Sequence, residues 1–339
     1  MRVAGIDCGT NSIRLLIADV PGANGAALDD IVRRMEIVRL GEGVDRTGRF
    51  DPDALQRTLD VVSDYAAQCD RYGVEAIRFV ATSASRDASN RDVFIAGVRE
   101  RLGVDPRVIS GNDEARFSFR GAISALGSEL LGSTAGAGSG GDAVPVGDER
   151  LILTVDLGGG STELALGRPD GQVVASYSMD VGSVRMRERH LHSDPVTDAE
   201  IIAARADVNA LLDAAEQQID LSSPHVLVGL AGTVTTVTAQ ALGLESYVPE
   251  RIHGTRLTWP QIDEVCEWFL RASLGGRRAL GFMHPGRADV IHAGALVWQQ
   301  VVRRVVERTA HTQHPIMEAV TSEHDILDGV TLWAAEAGD

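Results

Sequence analysis

Two short stretches of this chain share one pattern, and that repetition constrains the fold more than any other feature. Residues 3–19 (VAGIDCGTNSIRLLIAD) and 153–170 (LTVDLGGGSTELALGRPD) both read apolar-apolar-Asp-x-Gly-x-x-Ser-x-x-apolar. Each predicts a strand ending in an Asp, a glycine turn, and a second strand. One such hairpin is common. Two at corresponding places in a 339-residue chain, a length that suits two domains, point to an internal duplication.

The segments between them alternate strand and helix signals, which predicts α/β architecture. Strands are expected at 2–7, 12–20, 31–40, 75–81, 107–109, 151–156, 161–166, 172–181, 225–229 and 315–321. Asp51-Pro52 starts a helix, with Asp as N-cap and Pro at its first position, that runs to Tyr72 and stops at Gly73. Other helices are expected over 90–102, after Ser110, over 197–219 behind the capping box Thr197-x-x-Glu200, after Gly232, and over 258–271, 286–309 and 324–337. The Gly/Ser/Ala-rich tract 127–148 has no period and reads as a flexible surface loop. This gives a first domain over 1–126 and a second over 149–339, whose last helix can return to the first.

The carboxylate at the end of such a strand is held rigidly, facing the turn. The glycines beyond it let a ligand approach the backbone, so that successive N–H groups can cradle an anion. Gly232 and Thr233, opening a helix after a strand, offer a third anion site. An Asp cannot touch phosphate favourably without a cation between them, so Mg²⁺ with water ligands is expected. The chain has no Lys, so any side-chain clamp must be guanidinium; Arg86 and Arg14 are candidates, although Arg14 reads equally as a strand-edge surface residue.

The formal charge of −16 argues against nucleic-acid or anionic-membrane partners. No apolar run is long enough to cross a bilayer and no leader is recognisable. Three cysteines without a Cys-x-x-Cys pair suit a reducing, cytoplasmic setting and no structural zinc. His253, His284, His292 and His324 are scattered and read as cap or surface residues. Trp259, Trp268 and Trp298 read as core packing.

Several segments together resemble the exopolyphosphatase/guanosine pentaphosphate phosphatase (Ppx/GppA) family over nearly the whole chain. They are Gly5–Ser12, Ala81–Asn90 (ATSASRDASN), Ser110–Ala115 (SGNDEA), Asp156–Glu163, Gly229–Thr236, Arg287–Ile291 and Ser322–Gly329. The resemblance implies two duplicated actin-like (ASKHA, ribonuclease H-like) domains around a central cleft. It implies Glu114 as the catalytic glutamate, and Asp156 and Glu163 as the acidic pair near metal, Mg²⁺ or Mn²⁺. It implies Asp7, Gly9, Thr10, Asn11 and Ser12 as the first phosphate loop, and Gly158, Gly159, Gly160 and Ser161 as the second. Arg86 and Asn90 fall in a turn beside the cleft. Longer relatives add a C-terminal helical region for which this chain has no room, so a long polyphosphate channel is not expected.

The resulting expectation is a hydrolase that removes the terminal phosphate of inorganic polyphosphate, with water oriented by Glu114. Guanosine pentaphosphate is the alternative substrate. A kinase of the same superfamily and a non-catalytic alarmone-binding regulator are readings of other kinds. The apolar C-terminal helices could form a homodimer surface or complete the second core.

Overall fold

The computed structural model describes residues 1–20, 28–126 and 150–336. The tract 127–148 therefore lies outside the described residues. Two sheets form the frame. The first is built from β1 (Arg2–Cys8), β2 (Ser12–Asp19), β3 (Asp29–Ile37), β4 (Ala76–Ala81) and β5 (Arg107–Val108), in the order β3-β2-β1-β4-β5. The second comprises β6 (Ile152–Leu157), β7 (Thr162–Gly167), β8 (Val173–Met179), β9 (Val226–Leu230), β10 (Arg256–Thr258) and β11 (Glu318–Thr321), in the order β10-β11-β9-β6-β7-β8. Apart from β10, the second order repeats the first. In each sheet the hairpin strands pair antiparallel, while β1 with β4 and β6 with β9 pair parallel.

Local chemistry sets most element ends. Asp51 caps the helix Pro52–Tyr72 by accepting from the Asp53 and Ala54 amides, and Gly73 closes it at φ 64°. The helix Asp198–Ala215 opens with the Thr197–Glu200 capping box. Some boundaries shift, and one helix lies where none was expected. The last long helix spans Ile291–Thr309 rather than starting near 286, because residues 284–290 form successive turns. The segment SVRMRER, unassigned from its sequence, is a helix over Ser183–Arg189.

Two helices trade sides. The helix Gly111–Ala125 lays Ala115, Phe119 and Ala122 on Ile152, Ala165 and Val228 of the second sheet. The final helix, Ile326–Ala335, packs on the first sheet, with Ile326 and Val330 against Val80. They cross at glycines. A Cβ on Gly121 would lie 1.9 Å from the Asp325 carbonyl oxygen, and one on Gly329 would lie 2.0 Å from that of Phe117. Bulk at either position would force the two halves apart. Trp298 is buried in the second core, as expected, whereas Trp268 is exposed. His292 is also buried rather than at the surface.

Candidate active site

The two Asp-Gly turns are built alike. After β1, the Gly9 amide donates to the Ser12 carbonyl at 2.9 Å; after β6, the Gly158 amide donates to the Ser161 carbonyl at 3.0 Å. The turns face each other at contact distance. A Cβ on Gly159 would lie 3.0 Å from Thr10 Cβ, and one on Gly160 would lie 2.6 Å from Thr10 Oγ1. Only glycine permits that approach.

One cavity opens where the turns meet. Its walls include Asp7, Gly9, Thr10, Asn11, Ser12 and Arg14 from the first half, Glu114, and Asp156, Gly158, Gly159 and Ser161 from the second half. Ala231, Gly232, Thr233 and Arg287 also line it. Ala231 sits at φ 67°, a left-handed conformation that costs a non-glycine residue about 1–2 kcal/mol. The strain lies where the helix Ala231–Ala241 starts against the cavity.

Four candidates do not line the cavity wall. Gly160 is wedged behind it, against Thr10 and Ser83. Glu163 is buried one strand over, accepting from Ser178 Oγ at 2.7 Å. Arg86 acts through Glu114: its Nη1 donates to Glu114 Oε2 at 2.7 Å and to the Ile109 carbonyl at 3.1 Å. Asn90 pins the backbone of Phe50 from both its amide atoms and does not reach the cleft.

The strand registers make the two aspartates different. Asp7 is paired across the hairpin with Arg14, and Asp156 with Glu163. Arg14 holds Asp7 Oδ2 at 2.6 Å from Nη2 and Asp325 Oδ2 at 2.5 Å from Nη1. Burial still raises the Asp7 carboxyl, with Arg14 opposing it. Asp156 faces a like charge instead. Burial, then the charge of Asp325, pushes it up to about 7, although Ser118 Oγ donates to its Oδ2 at 2.5 Å. Glu163 is pushed well up by burial, then by Glu114 and Asp156. Glu114 itself is pushed up to about 7 by burial, against the pull of Arg86.

Sequence reasoning missed Asp325, Ser118, Ser178 and the site role of Arg287. Arg287 lies over Gly232, where a Cβ would sit 2.3 Å from Nη2, and its Nη1 donates to Thr236 Oγ1 at 2.9 Å. Both Arg287 and Asp325 fall inside segments that carried the resemblance, which was the available signal. Cys8 is buried with its thiol pushed well up by that burial, which makes a poor nucleophile.

This geometry, three glycine-bearing turns around buried carboxylates and two guanidinium groups, suits phosphate chemistry, and comparison with known proteins agrees. The sequence matches the Ppx/GppA phosphatase family over residues 17–139 and 144–323. It is 46% identical to Exopolyphosphatase 2 of Mycobacterium tuberculosis over 337 residues, covering 98% of each chain. The crystal structure of an exopolyphosphatase-like protein superposes with a TM-score of 0.90 at 40% identity, covering 100% of this chain and 99% of that one. An Aquifex aeolicus Ppx/GppA family member superposes with a TM-score of 0.76 at 27% identity, covering 100% of this chain and 99% of the other. The chain is therefore an enzyme of two actin-like halves and belongs to the Ppx/GppA phosphatase family.

Proposed function

We propose that the protein is an exopolyphosphatase that hydrolyses the terminal phosphoanhydride of inorganic polyphosphate and releases orthophosphate. The observation that carries this reading is Glu114, a buried carboxylate held by Arg86 on the wall of the cavity where the glycine turns meet. The name of the Mycobacterium tuberculosis relative supports polyphosphate as the substrate. The terminal phosphate sits against the turn amides, and Glu114 orients water for in-line attack and takes its proton. A carboxyl near 7 is matched to that task at neutral pH. The leaving group is the polyphosphate shortened by one unit.

A divalent cation, Mg²⁺ or Mn²⁺, fits the residues present. Asp7 Oδ1 is buried without a hydrogen-bond partner, and Asp156 and Glu163 oppose each other as like charges. Among the described residues no group of three or more His, Cys, Asp or Glu forms a metal cage. Mg²⁺ held by one or two carboxylates, water and phosphate oxygens needs none. Asp156 on the cavity wall, with Asp7 beside it, would hold it, and Glu163 would support it from one strand over; when bound it would offset repulsion between these carboxylates and the phosphate oxygens.

A guanosine pentaphosphate 5′-phosphatase is the second reading. The Tyr247 ring, 37% exposed with its hydroxyl donating to Glu323 Oε1 at 2.6 Å, offers a base a stacking surface. Phosphate release should be measured on polyphosphates of several lengths, guanosine pentaphosphate and ATP, with Mg²⁺ and with excess chelator. We expect polyphosphate to be preferred and chelator to abolish turnover. Glu114→Gln should lose about 10²–10⁴-fold in kcat while keeping its thermal midpoint. Near-native turnover in that variant, or full activity in chelator, would overturn the mechanism.

A further inference from the structure

The second phosphate loop is fastened to the opposite half of the molecule by one guanidinium. Arg185, in the helix Ser183–Arg189, is only 9% exposed. Its Nε donates to the Gly160 carbonyl at 2.7 Å, its Nη1 to Asp45 Oδ1 at 2.7 Å and its Nη2 to Asp87 Oδ2 at 2.6 Å. Asp45 lies in the short helix Val44–Thr47 of the first half and is held again by Arg189 at 2.8 Å. Asp87 directly follows Arg86, the partner of Glu114.

Three consequences follow from this one planar group. A guanidinium presents its donors in a rigid fork, so three bonds from it fix three chain segments relative to one another. The peptide after Gly160 is planar and trans, so holding the Gly160 carbonyl outward turns the Ser161 N–H the opposite way. Ser161 is on the cavity wall. On its other side Gly160 abuts Ser83, where a Cβ would lie 2.7 Å from Ser83 Oγ. The loop is thus gripped between Arg185 and the first half.

We infer that Arg185 is a positioning residue for catalysis. It sets the separation of the two phosphate loops and, through Asp87 and Arg86, holds Glu114 in register with the second loop. This rests on the reading of the cavity as a phosphoanhydride-hydrolysing site. Arg185 touches no reacting atom, so its effect falls on alignment rather than on substrate affinity.

The test combines steady-state phosphate release from polyphosphate with small-angle scattering on wild type, Arg185→Ala, Arg185→Lys and Asp87→Asn. Arg185→Ala should lose about 100-fold in kcat, the penalty expected for misplacement of about 1 Å, with KM changed less than about threefold. Its radius of gyration should rise as the cleft widens. Arg185→Lys should recover about tenfold of the loss, since an ammonium reaches some of the three acceptors but not as a fork. Asp87 is exposed, so Asp87→Asn should fold normally and lose several-fold in kcat; added to Arg185→Ala it should cost little more. Native kcat in a folded Arg185→Ala, or a loss confined to KM, overturns the proposal. Should Arg185→Ala fail to fold, native kcat in Asp87→Asn overturns it. Inactivity of the wild type on polyphosphate would count against the functional reading instead. The positioning role is then judged by scattering alone, with an unchanged cleft in Arg185→Ala overturning it.

Discussion

Seven residues beyond each turn aspartate stands a charged side chain, of opposite kind in the two halves. Arg14 occupies the place in the first half and Glu163 in the second. Because the hairpins share one register, each lies directly across from its aspartate. Asp7 is paired with Arg14 although burial still raises it, while Asp156 carries repulsion from Asp325 and Asp7 that a bound cation would relieve. Folding raises Asp156 from 3.8 to about 7, burial being the main cause. The folded protein then holds a proton that the unfolded chain has lost, so this group's contribution to stability declines as pH rises from about 4 to about 7. In metal-free protein, Asp156→Asn should gain more stability over wild type at pH 8 than at pH 5. Denaturant midpoints at the two pH values check this; an equal difference would show that Asp156 is not raised. Asp156 and Glu163 were both legible in the sequence. Arg14 was readable only as one of two possibilities, because its burial beside Asp325, 311 positions away, has no local signal.

Among elements, the crossing of the helices Gly111–Ala125 and Ile326–Ala335 matters most for the site. It ties Glu114, on the first of these helices, to Asp325, the cap of the second. Asp325 in turn holds Arg14 against Asp7. Gly329→Ala would push a methyl into the Phe117 carbonyl, at 2.0 Å in the present packing. Overpacking of that kind should destabilise by about 1–3 kcal/mol and lower kcat as well, because Glu114 shifts with its helix. Chemical denaturation and turnover on the same variant test both effects; an unchanged midpoint would mean that the crossing gives way without strain. Helix starts at Asp51, Ser110, Thr197 and Thr258 were legible because capping is a local hydrogen-bond pattern. The helix Ser183–Arg189 was not, since seven residues are too few to display a helical period.

For the molecule as a whole, the halves are joined on both sides of the cleft. The crossing helices lie on one side. Arg185, with the ion pair of Arg39 and Asp289 at 2.9 Å and the Gly43 amide donating to Glu188 at 3.0 Å, bridges the other. Among the described residues no helix is long and apolar enough to cross a membrane. The net charge of −16 means that a polyanion approaches against the overall field. At fixed Mg²⁺, kcat/KM on long polyphosphate should therefore rise, by about threefold, between low and physiological ionic strength as repulsion is screened. Steady-state kinetics across a salt series tests this, and a fall with salt would reveal a guiding basic surface that the total charge conceals.

Local patterns along the chain encode the duplicated α/β frame, the glycine turns and most of the carboxylates around the cavity. These depend on strand periods, helix caps and residues that tolerate tight turns, all written within a few positions of one another. Tertiary structure alone decided how the two aspartates differ. Like patterns flank both and burial raises both, but packing sets Arg14 against Asp7 and leaves Asp156 facing the charge of Asp325. It also decided which half holds which helix, and that Arg185 reaches an aspartate 140 positions away. Contacts of that range are set by how the sheets pack, and no short stretch of chain encodes them.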